Sequence, residues 1–334
     1  MKGHDPLVST VNPVKSEGPT PREITTEPRF SDRIFRGIVS SGGMISLLVL
    51  GLISLFLFYN GLNVFRSEGL SFVTSFEWIA ESIENGTEAS YGIGAMLYGT
   101  LVIGFIGLFF GFPLAVGAAL FLSYYAPEWL KKPMVLVVDV MAAIPSIVFG
   151  LWGFYVLMPH AEEWAKLINK YFGFIPIFSM PGDFYSRSPF IAGLVLAVMI
   201  IPIITSISRE VFAQTPLDRI QAAYALGATR WSMIRSVVIP YGKGGVIGGA
   251  MLGLGRAIGE TVAVYTVLNL VYDIRPEVLL SAGGSVASLI VNKFGEATEP
   301  ELKALMAAGF VLFMVTLAVN FVANAIINKT VRQG

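Results

Sequence analysis

Charge-free apolar stretches recur six times along the chain, separated by shorter polar segments. An ionised side chain costs about 2.5–3.5 kcal/mol at the middle of a bilayer, so charges mark where each stretch must end. Arg36 and Arg66 bracket the first stretch. Glu88 and Glu128 bracket the second, which exceeds the roughly 20 residues that a membrane-crossing helix needs. The third runs from Pro133 to about Met158 and carries Asp139. Arg187 and Arg209 bound the fourth, Pro240 to Leu270 forms the fifth, and Lys303 and Lys329 bound the sixth. The pattern predicts an all-α membrane protein, with six transmembrane helices in a single membrane domain over residues 31–334.

Lysine and arginine in the connecting segments predict the orientation, because cytoplasmic loops retain them. Fifteen lie in segments 1–36, 126–133, 209–243 and 329–334, against seven in segments 61–91, 159–188 and 271–303. Both termini and the segment 209–239 are therefore expected on the cytoplasmic side of a multi-pass protein. The first 28 residues hold five prolines among serine, threonine and charge, which predicts a disordered cytoplasmic tail over residues 1–30. The first apolar run starts late and is long enough to stay in the membrane, so no cleavable signal peptide is expected. Asn85-Gly86-Thr87 fits a glycosylation sequon, a pattern too common by chance to carry weight.

Between the fourth and fifth stretches the period changes. Thr215-Pro216-Leu217-Asp218 reads as a helix start, with threonine at the N-cap, proline in the first turn and a carboxylate three residues after the cap. The helix is predicted to reach about Leu226, where Gly227 supplies a left-handed stop. Thr229 can then cap a second helix from Arg230 that leads through Pro240 into the fifth span. Ala222, Ala223 and Ala225 give the first helix a low-relief surface that a partner groove can approach. Three readings compete: an interfacial helix, a DNA-binding helix-turn-helix, and a docking element for a cytoplasmic motor. Arg219, Arg230 and Arg235 are too few for a phosphate-backbone footprint, so no nucleic-acid partner is expected. Docking is the favoured reading.

Composition narrows the chemistry. The 334 residues are 54% hydrophobic and only 14% charged, against about 25% charged in ordinary globular domains. There is no cysteine, and the two histidines, His4 and His160, sit in a polar tail and at a segment end. Haem ligation, structural zinc and thiol chemistry are thereby excluded, and no cofactor, metal site or catalytic residue is expected. A GxxxxGK[ST] phosphate loop is also missing, so any ATP hydrolysis must belong to another chain.

The segment Gln221-Ala222-Ala223, three residues, Gly227, nine residues, Val237-Val238-Ile239-Pro240 resembles the EAA loop of ABC-importer permeases. That family usually has glutamate where this chain has Gln221, which keeps the length and hydrogen bonding but not the charge. Further stretches resemble the PstC-type subunits of phosphate-specific importers in particular. They are Asp32 to Gly37, Tyr98 to Thr100, Ser123 to Pro127, Ile144 to Gly150, Gly255 to Thr261 and Ala287 to Ala297. The resemblance covers roughly residues 30–334. It implies the type I importer permease fold with a cytoplasmic coupling-helix loop over 209–239, in a bacterial inner membrane. It also implies five partners: phosphate, membrane lipid, a dimer of ATPase subunits, a homologous PstA-like permease and an extracytoplasmic phosphate-binding protein. Gln221, Ala222, Ala223 and Gly227 would seat in the ATPase.

The resemblance further places Arg256 and Glu260 on the translocation path. Spaced four apart in the fifth span, they are expected on one helix face about 6 Å apart along the axis. Arg256 would lie about 24 Å beyond Pro240 by the same rise. An ion pair that merely neutralises itself is one reading. The other is that a guanidinium holds two phosphate oxygens while the glutamate competes for it, so that the anion passes on. Glycines 244, 245, 248, 249, 253, 255 and 259 predict close backbone packing of the fifth helix, at the interface with the partner permease. Pro145 and Pro202 break backbone hydrogen bonds at membrane depth, as static kinks or as flexible points. Segment 159–188 reads as an amphipathic helix plus loop, either a docking surface for the binding protein or an interfacial lid. Other functions left open are a permease for molybdate or sulphate, and an ATP-independent carrier gated by Arg256 and Glu260.

Overall fold

The computed structural model describes residues 30–79, 89–180 and 182–331. The tail over residues 1–30, save Phe30, and the Asn85 sequon fall outside them. Contacts divide the chain into two units, Met1–Leu52 and Ile53–Gly334. In the first unit the described residues, 30–52, are helical and exposed throughout. They belong to the long helix α1 (Phe30–Ser67), whose last turns carry the buried Gly61 and Val64 of the second unit.

The second unit continues with a one-turn helix α2 (Ser71–Thr74) and two strands, β1 (Trp78–Ile79) and β2 (Ser90–Tyr91). The strands pair antiparallel, with Trp78 opposite Tyr91. Then follow α3 (Gly94–Leu120), α4 (Glu128–Ala143), α5 (Ser146–Trp152), α6 (Met158–Phe172) and α7 (Pro189–Ala213). The chain ends through α8 (Leu217–Ala225), α9 (Arg230–Met233), α10 (Ile239–Ile258), α11 (Val262–Val267), α12 (Val286–Phe294) and α13 (Glu299–Val331). Apart from the two-residue ribbon the described fold is all-α.

Among the described residues five helical stretches are long and apolar enough to cross a membrane: Phe30–Ser67, Gly94–Tyr125, Pro189–Ala213, Arg230–Ile258 and Glu299–Val322. The third expected span is not a straight helix. α4 and the helix that begins at Ser146 meet at 97°, and counting this bent pair as one span brings the total to six. The cause is local. Ile144 precedes Pro145 and takes the extended conformation that a following proline enforces, with ψ of 130°, and Pro145 is itself extended. The fourth expected span corresponds closely to α7, whose proline at 202 leaves the helix unbroken. In the fifth, helix runs from Arg230 through a π-turn at Ile234–Val238 into the span, as expected, but stops at Ile258, well short of Leu270. The wider π-turn, closed by Ile239 N–H donating to the Ile234 carbonyl, precedes Pro240, which has no N–H to give.

The core gathers around α7, fifteen of whose residues are buried. A Cβ on Gly107 of α3 would sit 3.1 Å from Leu196 Cβ, and one on Gly111 would sit 3.2 Å from the Ala197 carbonyl oxygen. From the other side, Gly245 faces Val211, Gly249 faces Ile207 at 3.1 Å, and Gly253 faces Ile204 at 2.8 Å. The four-residue glycine spacing at 245, 249 and 253 thus serves close packing against α7 of the same chain. Thr205 adds a buried hydrogen bond from its hydroxyl to the Ala115 carbonyl at 3.2 Å, joining α7 to α3.

At the end of the bundle away from α8, polar side chains do the fastening. Buried Glu301 accepts from Trp78 Nε1 at 2.8 Å and lies 3.8 Å from Lys293 Nζ. Burial, aided by the charge of Glu301, pushes the Tyr272 phenol up to about 12. Val286 N–H donates to Thr100 Oγ1 at 3.0 Å, seating the start of α12 on α3. Segment 159–188 is the expected helix plus loop, with Ala161 and Ala165 of α6 buried and Trp164 and Tyr171 exposed.

The glycine contacts make a prediction. The Cβ of Gly99→Ala would collide with the Gly284 carbonyl oxygen, which is backbone and cannot turn aside. This substitution is expected to cost about 1–3 kcal/mol. Gly117→Ala meets open space, so helix propensity should leave it neutral or up to about 1 kcal/mol more stable. Denaturation midpoints of the detergent-solubilised chain test both; equal midpoints would refute the packing argument.

Candidate functional site

The loop between the fourth and fifth spans folds much as its residues demand. α8 starts one residue later than expected: Pro216, with ψ of 129°, stands at the cap, and no side chain caps the helix, so Thr215 does not play that part. Its other end closes as a full Schellman turn. Gly227 N–H donates to the Tyr224 carbonyl at 2.9 Å, Ala228 N–H donates to the Ala223 carbonyl at 3.0 Å, and Gly227 has φ of +81°. Thr229 Oγ1 accepts from Ser232 N–H at 3.2 Å and caps α9, as the sequence indicates.

Ile220, Ala223 and Ala228 tuck against a small core of Phe212, Met233, Ile234 and Val238. That contact fixes which face of α8 looks outward. Gln221 and Ala222 are exposed, and Leu226 is 89% exposed at the tip. Ala222, Ala223, Leu226, Val237 and Pro240 border one groove of about 680 Å³. The two halves of the motif, far apart in sequence, therefore form one surface. Arg219 lies over the Tyr241 ring at 5.9 Å and helps to shape it.

The pair in the fifth span is arranged differently from the expectation. α10 ends at Ile258, so Arg256 occupies its last turn and Glu260 lies beyond it. Glycine at 259 lowers the cost of leaving the helix, and Glu260 then serves the next one. Its buried carboxylate accepts from Ala263 N–H at 3.3 Å, in the first turn of α11. Arg256 is exposed, and among the described residues it makes no hydrogen bond or ion pair. The intrahelical ion pair is thus replaced by a capped break and an unpaired guanidinium. Register gives the depth. Gly253 faces Ile204, near the middle of α7, and Arg256 lies one turn further on, about 4.5 Å by the helical rise.

Nothing in the spacing alone signalled the break, although Gly255 to Thr261 contains its parts: glycine to leave the helix, a carboxylate to start another. At the loop, Gly227→Ala should cost about 1–2 kcal/mol, since a Cβ is strained at positive φ even in open space. Gly227→Asn should cost less. Faster amide exchange at positions 227 and 228 in the alanine variant is the readout, and unchanged exchange would refute the role of that turn.

Comparison with known proteins agrees with this construction. The family described as binding-protein-dependent transport system inner membrane component matches residues 111–333. The phosphate transport system permease protein PstC 2 of Mycobacterium bovis is 40% identical over 304 residues, covering 89% of this chain and 92% of that protein. PstC of Xylella fastidiosa is 36% identical over 333 residues, covering 98% and 99%. PstC of Pasteurella multocida is 38% identical over 299 residues, covering 89% and 91%. Among solved structures, two inward-facing forms of the MetNI methionine ABC transporter match with TM-scores of 0.51 and 0.52, at 18% and 16% identity. They cover 70% of this chain and 93% and 94% of the matched chains, and this likeness bears on the fold. The chain, a multi-pass membrane protein with the importer-permease fold, belongs to the family of inner membrane components of binding-protein-dependent transport systems.

Proposed function

We propose that the chain is the PstC-type permease subunit of an ATP-driven importer of inorganic phosphate. The observation that carries this reading is the groove in which Ala222, Ala223 and Leu226 meet Val237 and Pro240. An exposed, apolar-tipped helix joined through a tight turn to a membrane helix is suited to take a push from outside the bilayer. The PstC relatives supply the cargo of the proposal.

In this reading a dimer of ATPase subunits grips α8 through Gln221, Ala222, Ala223 and Gly227. A second, PstA-like permease completes the path, and an extracytoplasmic phosphate-binding protein delivers the anion. Both termini lie in the cytoplasm, in keeping with the excess of lysine and arginine on that side. ATP-driven closure moves α8, and with it the helical stretch Arg230–Ile258. Arg256 lies in the last turn of that stretch, and its free guanidinium suits bidentate contact with phosphate oxygens. Glu260 holds the start of α11 beside it and competes for the cation when the anion leaves. No bond chemistry is assigned to this chain.

Two measurements follow. Labelled phosphate uptake at micromolar concentration should require the chain, and should collapse on ATP depletion while the proton gradient is kept. Uptake that survives ATP depletion would point to a carrier, and competition by molybdate or sulphate to another oxyanion. Arg256→Gln and Glu260→Gln should each abolish uptake with insertion and assembly intact; normal uptake by both would remove them from the path.

A further inference from the structure

Arg187 carries two peculiarities. It is the only non-glycine among the described residues with positive φ, at 51°, a strained conformation for a long side chain. It is also a half-buried cation with no carboxylate partner among the described residues. Its guanidinium is nevertheless held firmly. Nη1 donates to Asn269 Oδ1 at 3.3 Å, the plane lies 5.2 Å from the Phe154 ring centre, and its carbonyl accepts from Asn269 N–H at 3.5 Å. Asn269 is fixed in turn by donating from Nδ2 to Ser281 Oγ at 3.1 Å.

This guanidinium faces a cavity of about 430 Å³ whose polar lining includes Tyr155, Tyr265, Thr266, Asn269 and Asn292. No carboxylate lines it. The side chain of Asn292 is exposed and makes no hydrogen bond among the described residues. At about 30 Å³ per water, the cavity takes an anion together with part of its hydration shell. Weak, wet binding is what a path needs if its cargo must also leave.

Position gives the cavity its meaning. Arg187 lies two residues before α7, and the α8 loop follows the other end of that 25-residue helix, about 37 Å away by the helical rise. α11 connects the cavity to Arg256: Glu260 caps its start, Tyr265 and Thr266 on it line the cavity, and Asn269 follows it. Six residues of helix span about 9 Å.

We infer that this cavity is an oxyanion subsite at the membrane face opposite α8, where Arg187 receives inorganic phosphate before it reaches Arg256. The inference rests on the phosphate-importer reading above. It adds a second cation to the path and makes α11 the link between the two.

The test is equilibrium binding of labelled inorganic phosphate to the intact importer complex in lipid nanodiscs, without nucleotide or binding protein. Arg187→Asn removes the charge while asparagine tolerates the left-handed backbone. It should weaken binding at least about tenfold, the effect of losing a charge-assisted contact, and Arg187→Lys should weaken it less. Lys166→Gln, an exposed residue paired with Glu163, should leave binding unchanged. If Arg187→Asn fails to assemble, Asn292→Asp replaces it. That variant breaks no fold contact, sets a carboxylate against the same cavity, and should weaken binding as much. Wild-type binding in the assembled variants, or no saturable binding to the wild type, overturns the subsite. Phosphate uptake by cells, measured in parallel, separates the two readings. Chain-dependent uptake with unchanged binding sinks the subsite alone, whereas uptake independent of the chain removes the cargo and the subsite with it.

Discussion

The close approach of α7 to its neighbours is the constraint on which the second unit depends. Lipid gives apolar side chains no reason to leave it, so helices in a bilayer associate through contact and hydrogen bonding. Here the contact is made by glycine. Gly107 and Gly111 bring α3 against α7 from one side, and Gly245, Gly249 and Gly253 bring α10 against it from the other. Backbone meets side chain with no Cβ between, and the buried Thr205 hydroxyl joins the α3 carbonyl. The result is a three-helix spine, α3, α7 and α10, to which the less buried elements attach.

That spine connects the two ends of the molecule. The groove beside α8 is built partly on Val237 and Pro240, which lie in the same helical stretch as Arg256. A displacement of α8 therefore cannot stay local, because tight glycine packing transmits rather than absorbs it. At the far end the helix stops at Ile258, and Glu260 starts α11 with its own carboxylate. The break frees Arg256 of an intrahelical partner and turns the chain toward the polar cavity at Arg187. In the proposed importer, force enters at one end of α10 and charge recognition sits at the other.

Much of this was legible in the residues. Charges bracketed the apolar runs, so four of the six helical stretches lie close to where they were expected. Gly227 had to be a left-handed stop because a polar, alanine-rich helix ended there with a threonine cap two residues on. The spacing of the EAA-like motif was readable for the same reason, being a pattern of short-range turn chemistry. Local rules also erred locally. Thr215 looked like a cap, but Pro216 adopted that conformation, and the Pro145 kink proved to be a 97° bend that no propensity could size.

The sequence by itself determined the membrane class, the number of apolar stretches, the turn chemistry of the α8 loop and the presence of two ionisable groups at depth. These follow from desolvation cost and backbone geometry, which act over a few residues. Only the tertiary structure decided which partner each face meets. It turned the glycine row toward α7, kept Arg256 apart from Glu260, and brought Arg187 to Asn269 across 82 positions of chain. The physical reason is that side-chain period tells which face a residue shares, whereas the helix or break that answers it lies far along the chain and is chosen by packing.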